Sequence, residues 1–554
     1  MRSQSETAMY EITDKLFATP TAEHLSHCEN ATPAESTAVE NFEELKYVRQ
    51  GLKQRHIQMI ALAGTIGTGL FLGCGQALAT SGPLGTLLGF SVTGSIACAV
   101  VMAIGEMGAL LPLTGGYVRY SECFLDPSAS FAQGWNMVYS YLVAIPAELV
   151  AVAVLMEFWS SLNSAVWITV FGVIMLASTL LFVRVYGELE FIFALLKISL
   201  IIGINIMALV ITCGGGPSSK PIGFQYWRNP GPFVQYLGIP GAAGRFAGFW
   251  TTFTSALYAY ASIETISLAA AETQNPRRAI PMTAKRIFFR IILFYVLTIF
   301  MVGLVVPSDD PTLLQSTGNA SQSPFVIAAR RAGIKVVPSI INAVILTSAW
   351  SAGNSGLLGG SRVLYGLALN RRAPQVFQRV NRFGIPYCAV LLFGIFMALG
   401  YMTLSHSAAV VFSWLLDLVA VATLVNWIII TTTFLRLFYA MKKQNIDRHT
   451  RLPWASPLQP YLSWYGLLMQ ILILLTGGYT TFISGHWDTE TFVAAYLNIP
   501  LVLLLYFGHK LFMKTAIIPL ADVPVNRLLA VYEAHPETQP MPKRGLSRLN
   551  FLWE

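Results

Sequence analysis

Charge is scarce in this chain. Asp, Glu, Lys and Arg make up 12% of its 554 residues, about half the share of a soluble domain, which excludes a string of soluble domains. Cysteine is scarce as well, and the six present show neither a disulfide framework nor zinc spacing. Cys74, Cys98, Cys213 and Cys388 lie in or beside apolar runs and read as small packing residues. The eight histidines lack ligand spacing, and no nucleophile–base pair stands out, so neither an enzyme nor a metal or cofactor site is expected. Residues 1–50 lack a basic start followed by an apolar stretch and a cleavage site; they read as a disordered polar tail rather than a signal peptide.

Apolar sequence is abundant, at 54% of residues. It recurs in segments of about 20 residues, the length that crosses roughly 30 Å of hydrocarbon. Twelve spans are expected, at 57–80, 83–111, 131–159, 165–184, 189–212, 247–271, 288–307, 337–368, 387–404, 408–436, 462–484 and 492–513. Residues 515–554 form a second polar tail. The expected fold is an all-α polytopic membrane protein.

Lys and Arg cluster before the first span and after the sixth, eighth and tenth. Such loops mark the cytosolic side, which places both tails inside. The loop between spans 7 and 8 is then external. It carries a glycosylation sequon at Asn319-Ala320-Ser321, although its Arg330, Arg331 and Lys335 run against the charge rule. The basic loops account for the net charge of +8, so the lipid bilayer is an expected partner and nucleic acid is not.

Within the first span the stretch ALAGTIGTGLFLG (61–73) holds Gly64, Gly67, Gly69 and Gly73. Each glycine costs about 1 kcal/mol against alanine in a helix interior. Either the small residues let helices pack closely, or the helix breaks there and its freed N–H and C=O groups need partners. A break of that kind calls for a second one in a second half of the chain. The sixth span, FWTTFTSALYAYASIETISLAAAE (249–272), supplies it, with small and polar residues from Ala259 to Ile263 followed by Glu264. Residues 57–212 and 247–436 then form two repeats, with helices 11 and 12 (462–513) added.

Four motifs carry a resemblance. GTIGTGLFLG in span 1, AAAETQNPRRAIP after span 6, SAGNSGLLGGSRVLYGLA (351–368) and VFSWLLDLVAVATLVNW (411–427) resemble fungal amino-acid permeases of the amino acid–polyamine–organocation superfamily, of the yeast amino acid transporter type. The resemblance implies a twelve-helix permease domain over 51–514 with a 5+5 inverted-repeat core like that of LeuT. It implies alternating access and import of amino acids with protons across the plasma membrane. Trafficking or ubiquitination machinery would act on the tails. An amino-acid sensor without transport, or a carrier of γ-aminobutyrate, choline or a polyamine, is the alternative.

The resemblance also implies a site. Thr68 and Gly69 would hold the substrate carboxylate at the positive start of a half-helix, with Gly67 allowing close approach. Carbonyls of Thr65 and Ile66, and of Tyr258, Ala259 and Ala261, would take the ammonium. Tyr258 is either an aromatic gate or an ordinary core tyrosine. Ser262 stands where the family usually has glycine. Ser140 and Val419 fall at pocket positions, and Asp417 replaces the family's usual asparagine. An unpaired Asp417 in the pocket would favour cationic substrates; it can equally pair away from the site.

Intramembrane charges complete the expectation. Lys197 lies near the middle of span 5, where a lysine costs about 2.5–3.5 kcal/mol and usually marks an ion pathway. It is expected to couple protons, the alternative being a static pair with Glu148 or Glu264. Glu148 would line the pocket or relay protons, and Glu264 would brace the span 6 break. Glu106 and Glu122 are expected to pair with arginines such as Arg119.

Overall fold

The computed structural model describes residues 67–112, 116–181, 183–215, 217, 220–265, 276–313, 323–381 and 384–534. Thr65, Ile66, Asn319, the first half of span 1, the inner end of span 6 and the tail 1–50 lie outside the described residues. Among the described residues every regular element is helical.

Helix α1 (Gly69–Leu110) joins the end of span 1 to all of span 2. It opens as a π turn, Gly69–Gly73, and bends at Gly82, where φ is +82° and Pro83 follows. A β-carbon at Gly82 would lie 2.8 Å from the Pro232 carbonyl oxygen. That same oxygen accepts the Leu84 N–H at 3.0 Å, so the loop ahead of span 6 sits on the bend. The other elements used below are α2 (Gly116–Phe124), α3 (Pro127–Met156), α4 (Ser164–Leu181), α5 (Val183–Thr212), α6 (Gly241–Ala259) and α7 (Pro276–Val305). They continue with α8 (Val337–Leu369), α9 (Tyr387–Leu404), α10 (Ala408–Lys443), α11 (Tyr461–Thr476), α12 (Thr489–Met513) and α13 (Val525–Ala534).

Seven of these stretches are long and apolar enough to cross a membrane. Helix α8 is long enough, at 33 residues, but too polar to be one of them, because Asn342, Ser348, Ser351, Asn354 and Ser361 are buried along it. A helix enclosed by protein can carry such residues, since neighbouring helices satisfy them. Span 3 starts earlier than expected, at Pro127, because Asp126 caps it by accepting the Ser128 N–H at 2.9 Å and proline suits the first helical position.

Helix α3 runs through the centre, packed against α8 and α10 and buried without interruption from Ile145 to Leu155. Outer helices do the reverse. Ile202, Ile206 and Leu209 on α5, Leu468, Leu472 and Leu475 on α11, and Leu504, Phe507 and Leu511 on α12 are exposed. Their spacing of three and four residues makes one apolar face per helix, which suits hydrocarbon rather than water.

The face bearing the basic loops is tied together by polar contacts, and here two expected carboxylate–arginine pairs find their partners. Glu106 pairs with Arg448 at 2.6 Å and accepts the Ser456 N–H and Oγ at 2.7 and 2.6 Å. Glu122 pairs with Arg372 at 2.5 Å. Both partners are arginines of the basic loops, the class expected from the sequence, brought in by folding from far along the chain. The start of the second polar tail is also packed. Ile518 donates its N–H to the Leu125 carbonyl at 3.1 Å, and Gln444 Nε2 donates to the Val523 carbonyl at 2.9 Å. Val525, Leu528 and Leu529 are buried.

Candidate site at the two helix breaks

Helix α6 ends at Ala259, within the window expected from its small residues. Ala261 turns back to donate its N–H to the Tyr258 carbonyl at 3.1 Å. Ser262 then takes a left-handed backbone, φ +72°, a conformation that glycine adopts without strain and serine adopts at a cost of about 1–2 kcal/mol. A single 3-10 turn, Ile263–Thr265, follows. The carbonyl that the break frees at Ala259 accepts from the Tyr295 hydroxyl of α7 at 3.1 Å. Glu264 Oε2 accepts from Trp427 Nε1 of α10 at 3.0 Å, so this carboxylate ties the turn after the break to a neighbouring helix.

The other side of this junction is the start of α1, the first half of span 1 lying outside the described residues. Gly69 meets the end of α6 so closely that a β-carbon there would lie 2.7 Å from Ala259 Cα and 2.8 Å from Tyr258 Cδ1. Beside this contact, the Thr68 hydroxyl donates to Glu148 Oε1 at 3.0 Å. The Tyr258 hydroxyl donates to the same oxygen at 3.1 Å. Residues 80 and 110 positions away in sequence therefore converge on one carboxylate oxygen of α3. Thr68 is fully buried and Tyr258 nearly so. The other oxygen, Glu148 Oε2, is buried with no hydrogen-bond partner among the described residues. A β-carbon at Gly67 would sit at an ordinary 3.6 Å from Glu148 Oε1.

Lys197 of α5 is buried, and the charges that act on it are those of Glu190 and Glu148. Glu190 is the residue that sequence reasoning missed. Its Oε2 accepts from Ser351 Oγ of α8 at 2.7 Å. The available signal was its place seven residues before Lys197, two turns away on the same helix face.

The remaining predicted residues lie on the segments that supply this junction or on α10. Ser140 is half-buried on α3, two turns before Glu148. Val419 is buried on α10, less than a turn after Leu416, whose Cδ1 would lie 3.6 Å from a β-carbon at Gly73. Phe412 of α10 meets Tyr258 edge to face, with ring centroids 6.0 Å apart. Ala261 is half-buried in the break. Among the described residues no cluster of His, Cys, Asp or Glu could hold a metal.

Chemically, the positive start of a helix suits an anion. The carbonyls at the end of α6 suit a cation, since they lie at the negative end of that helix and each carbonyl oxygen has two lone pairs.

The amino acid permease family model matches residues 56–519. The proline-specific permease of Emericella nidulans is 39% identical over 85% of this chain and 87% of its own length. The dicarboxylic amino acid permease of Saccharomyces cerevisiae is 35% identical over 88% of this chain and 81% of its own. The basic amino-acid permease of the same yeast is 35% identical over 87% and 85%. Among solved structures, a mutant manganese transporter of Eremococcus coleocola superposes with a TM-score of 0.54 at 12% identity, covering 87% of this chain and 99% of that one; the likeness is one of fold.

Proposed function

The chain belongs to the amino acid permease family, and from that premise we propose that it imports amino acids with protons by alternating access, binding them where α1 and α6 break. The arrangement would be twelve spans with a 5+5 inverted repeat, in the plasma membrane, with both termini cytosolic and Asn319 outside. The single observation that supports the site best is the junction of Thr68, Tyr258 and Glu148 beside the Gly69–Ala259 contact.

In this reading the substrate carboxylate lies at Thr68 and Gly69, where free N–H groups and the helix dipole favour an anion. The ammonium faces the second lone pairs of the Tyr258 and Ala259 carbonyls, with those of Ala261, Thr65 and Ile66. Gly67 leaves room for the head group, and Ser140 and Val419 border its side chain. Backbone groups read the α-amino acid head and not the side chain. That accords with relatives of similar identity named for proline, dicarboxylic and basic amino acids.

Proton coupling follows from the shared oxygen. Hydrogen bonds to an ionised carboxylate are about twice as strong as neutral ones. A proton arriving at Glu148 Oε2, which has no protein donor to displace, would weaken the hold of Oε1 on both Thr68 and Tyr258. Lys197, between Glu148 and Glu190, would pass or release that proton, while Glu264 braces the break. Uptake by a yeast strain stripped of its own permeases tests the whole reading, at pH 5 and pH 7.5 against acidic, basic, neutral and proline-like amino acids. Uptake that rises at acid pH and is competed by one subset is expected. No uptake with the protein at the cell surface would overturn it in favour of a sensor or an amine carrier.

A further inference from the structure

Ionisable residues inside a membrane protein pair with one another or mark a ligand path. The described intramembrane carboxylates obey the first part with one exception. Glu106 holds Arg448 and Ser456, Glu148 takes Thr68 and Tyr258, Glu190 takes Ser351, and Glu264 takes Trp427. Asp417, nine residues into α10 and half-buried, makes no hydrogen bond or ion pair with any described residue. Its sequence-level alternative, a partner away from the site, is therefore not met among those residues.

Among the described residues its surroundings supply polar groups and no ion-pair partner. Ser413 lies one turn earlier on the same face of α10, and its Oγ accepts from Gln76 Nε2 of α1 at 3.5 Å. From the loop before α6 comes Tyr236; burial first, and then the Asp417 charge, hold its phenol above the usual range. Leu416, the residue before Asp417 on α10, lies against the α1 glycine Gly73, and Val419 comes two residues after Asp417.

We propose that Asp417, with Ser413 one turn before it and Gln76 of α1 bonded to that serine, is a cation subsite that takes the ammonium or guanidinium of a substrate side chain. This rests on the permease reading and deepens it. A substrate held by its head at Thr68 and Gly69 with its side chain directed along α10 presents its far end to this carboxylate. Cationic amino acids would complete the missing pair, and dicarboxylic ones would meet an uncompensated like charge, which is costly in a low dielectric.

The test compares half-inhibitory concentrations of lysine, arginine, leucine and glutamate against labelled uptake in the stripped yeast strain, for the unsubstituted protein, Asp417→Asn and Asp417→Glu. In parallel, thermal unfolding of each purified protein is followed with and without lysine. The expected result is a lysine-to-leucine selectivity ratio that falls at least tenfold in Asp417→Asn and recovers in Asp417→Glu, with loss of the lysine-induced thermal shift in Asp417→Asn alone. A ratio and a thermal shift that survive Asp417→Asn would overturn the subsite. So would an unchanged ratio with a flattened pH dependence, since Asp417 would then carry a proton instead. If the unsubstituted protein takes up nothing, the permease reading fails, and the lysine-induced shift still decides whether Asp417 binds a cation.

Discussion

Gly69 and Ala259 are joined so tightly that the β-carbon Gly69 lacks would lie 2.7 Å from Ala259 Cα. A backbone atom cannot swing aside as a flexible side chain can. The start of α1 and the end of α6 therefore touch only because residue 69 has no side chain. Forcing one in typically costs about 1–3 kcal/mol and would be taken up by separating the two breaks.

Gly69→Val should for that reason reduce uptake below a tenth of the unsubstituted level while the protein still reaches the cell surface. Labelled uptake together with surface biotinylation checks it. Uptake near normal would show that the break junction is not the transport site.

Lys197→Met should leave substrate binding in place and bring the ratio of uptake at pH 5 to that at pH 7.5 close to one. Glu190→Gln, which removes the second carboxylate acting on Lys197, should lower that ratio without abolishing it. Paired uptake curves at the two pH values separate these outcomes. Acid stimulation that survives Lys197→Met would remove Lys197 from the proton path.

The basic-loop face should be a major source of stability. Removing one partner of a buried ion pair leaves a desolvated charge and costs about 3–5 kcal/mol. Arg448→Ala strips the fully buried Glu106 of its guanidinium and should lower the unfolding temperature of the detergent-purified protein by several degrees. Truncation after residue 517, which removes the Ile518 and Val523 contacts and the buried side of α13, should do the same. Truncation after residue 534 should not, and equal loss from both cuts would deny the packed segment its role.

Acid stimulation should not come from the loop between α7 and α8. There burial raises the Asp310 carboxyl, but hydrogen bonds from Thr312 and Arg331 outweigh it and hold the group below its ordinary 3.8. A depressed carboxyl contributes stability above its unfolded pKa, about 3.9, and loses it as pH falls through the lower folded value. At pH 5 the Arg331–Asp310 pair, 2.8 Å long, is therefore intact. Asp310→Asn should leave the pH 5 to pH 7.5 uptake ratio unchanged, and a collapse of that ratio would place the proton sensor in this loop.

Much of the molecule was legible in one dimension. Segment length and apolarity are local properties, so the long apolar helices and the end of α6 at Ala259 fall where their residues put them. The bracing role of Glu264 followed from its place beside the second break. Partnership was not legible, because it is made across large sequence separations: Glu106 found Arg448 and Glu122 found Arg372, and the start of the second tail found the groove that buries Leu528 and Leu529. The sequence by itself determined that this chain builds helices for a bilayer and that α6 stops among its small residues. Only the tertiary structure decided that Thr68 and Tyr258 meet at one oxygen of Glu148 and that Asp417 has no partner among the described residues, since convergence and its absence are set by packing in three dimensions.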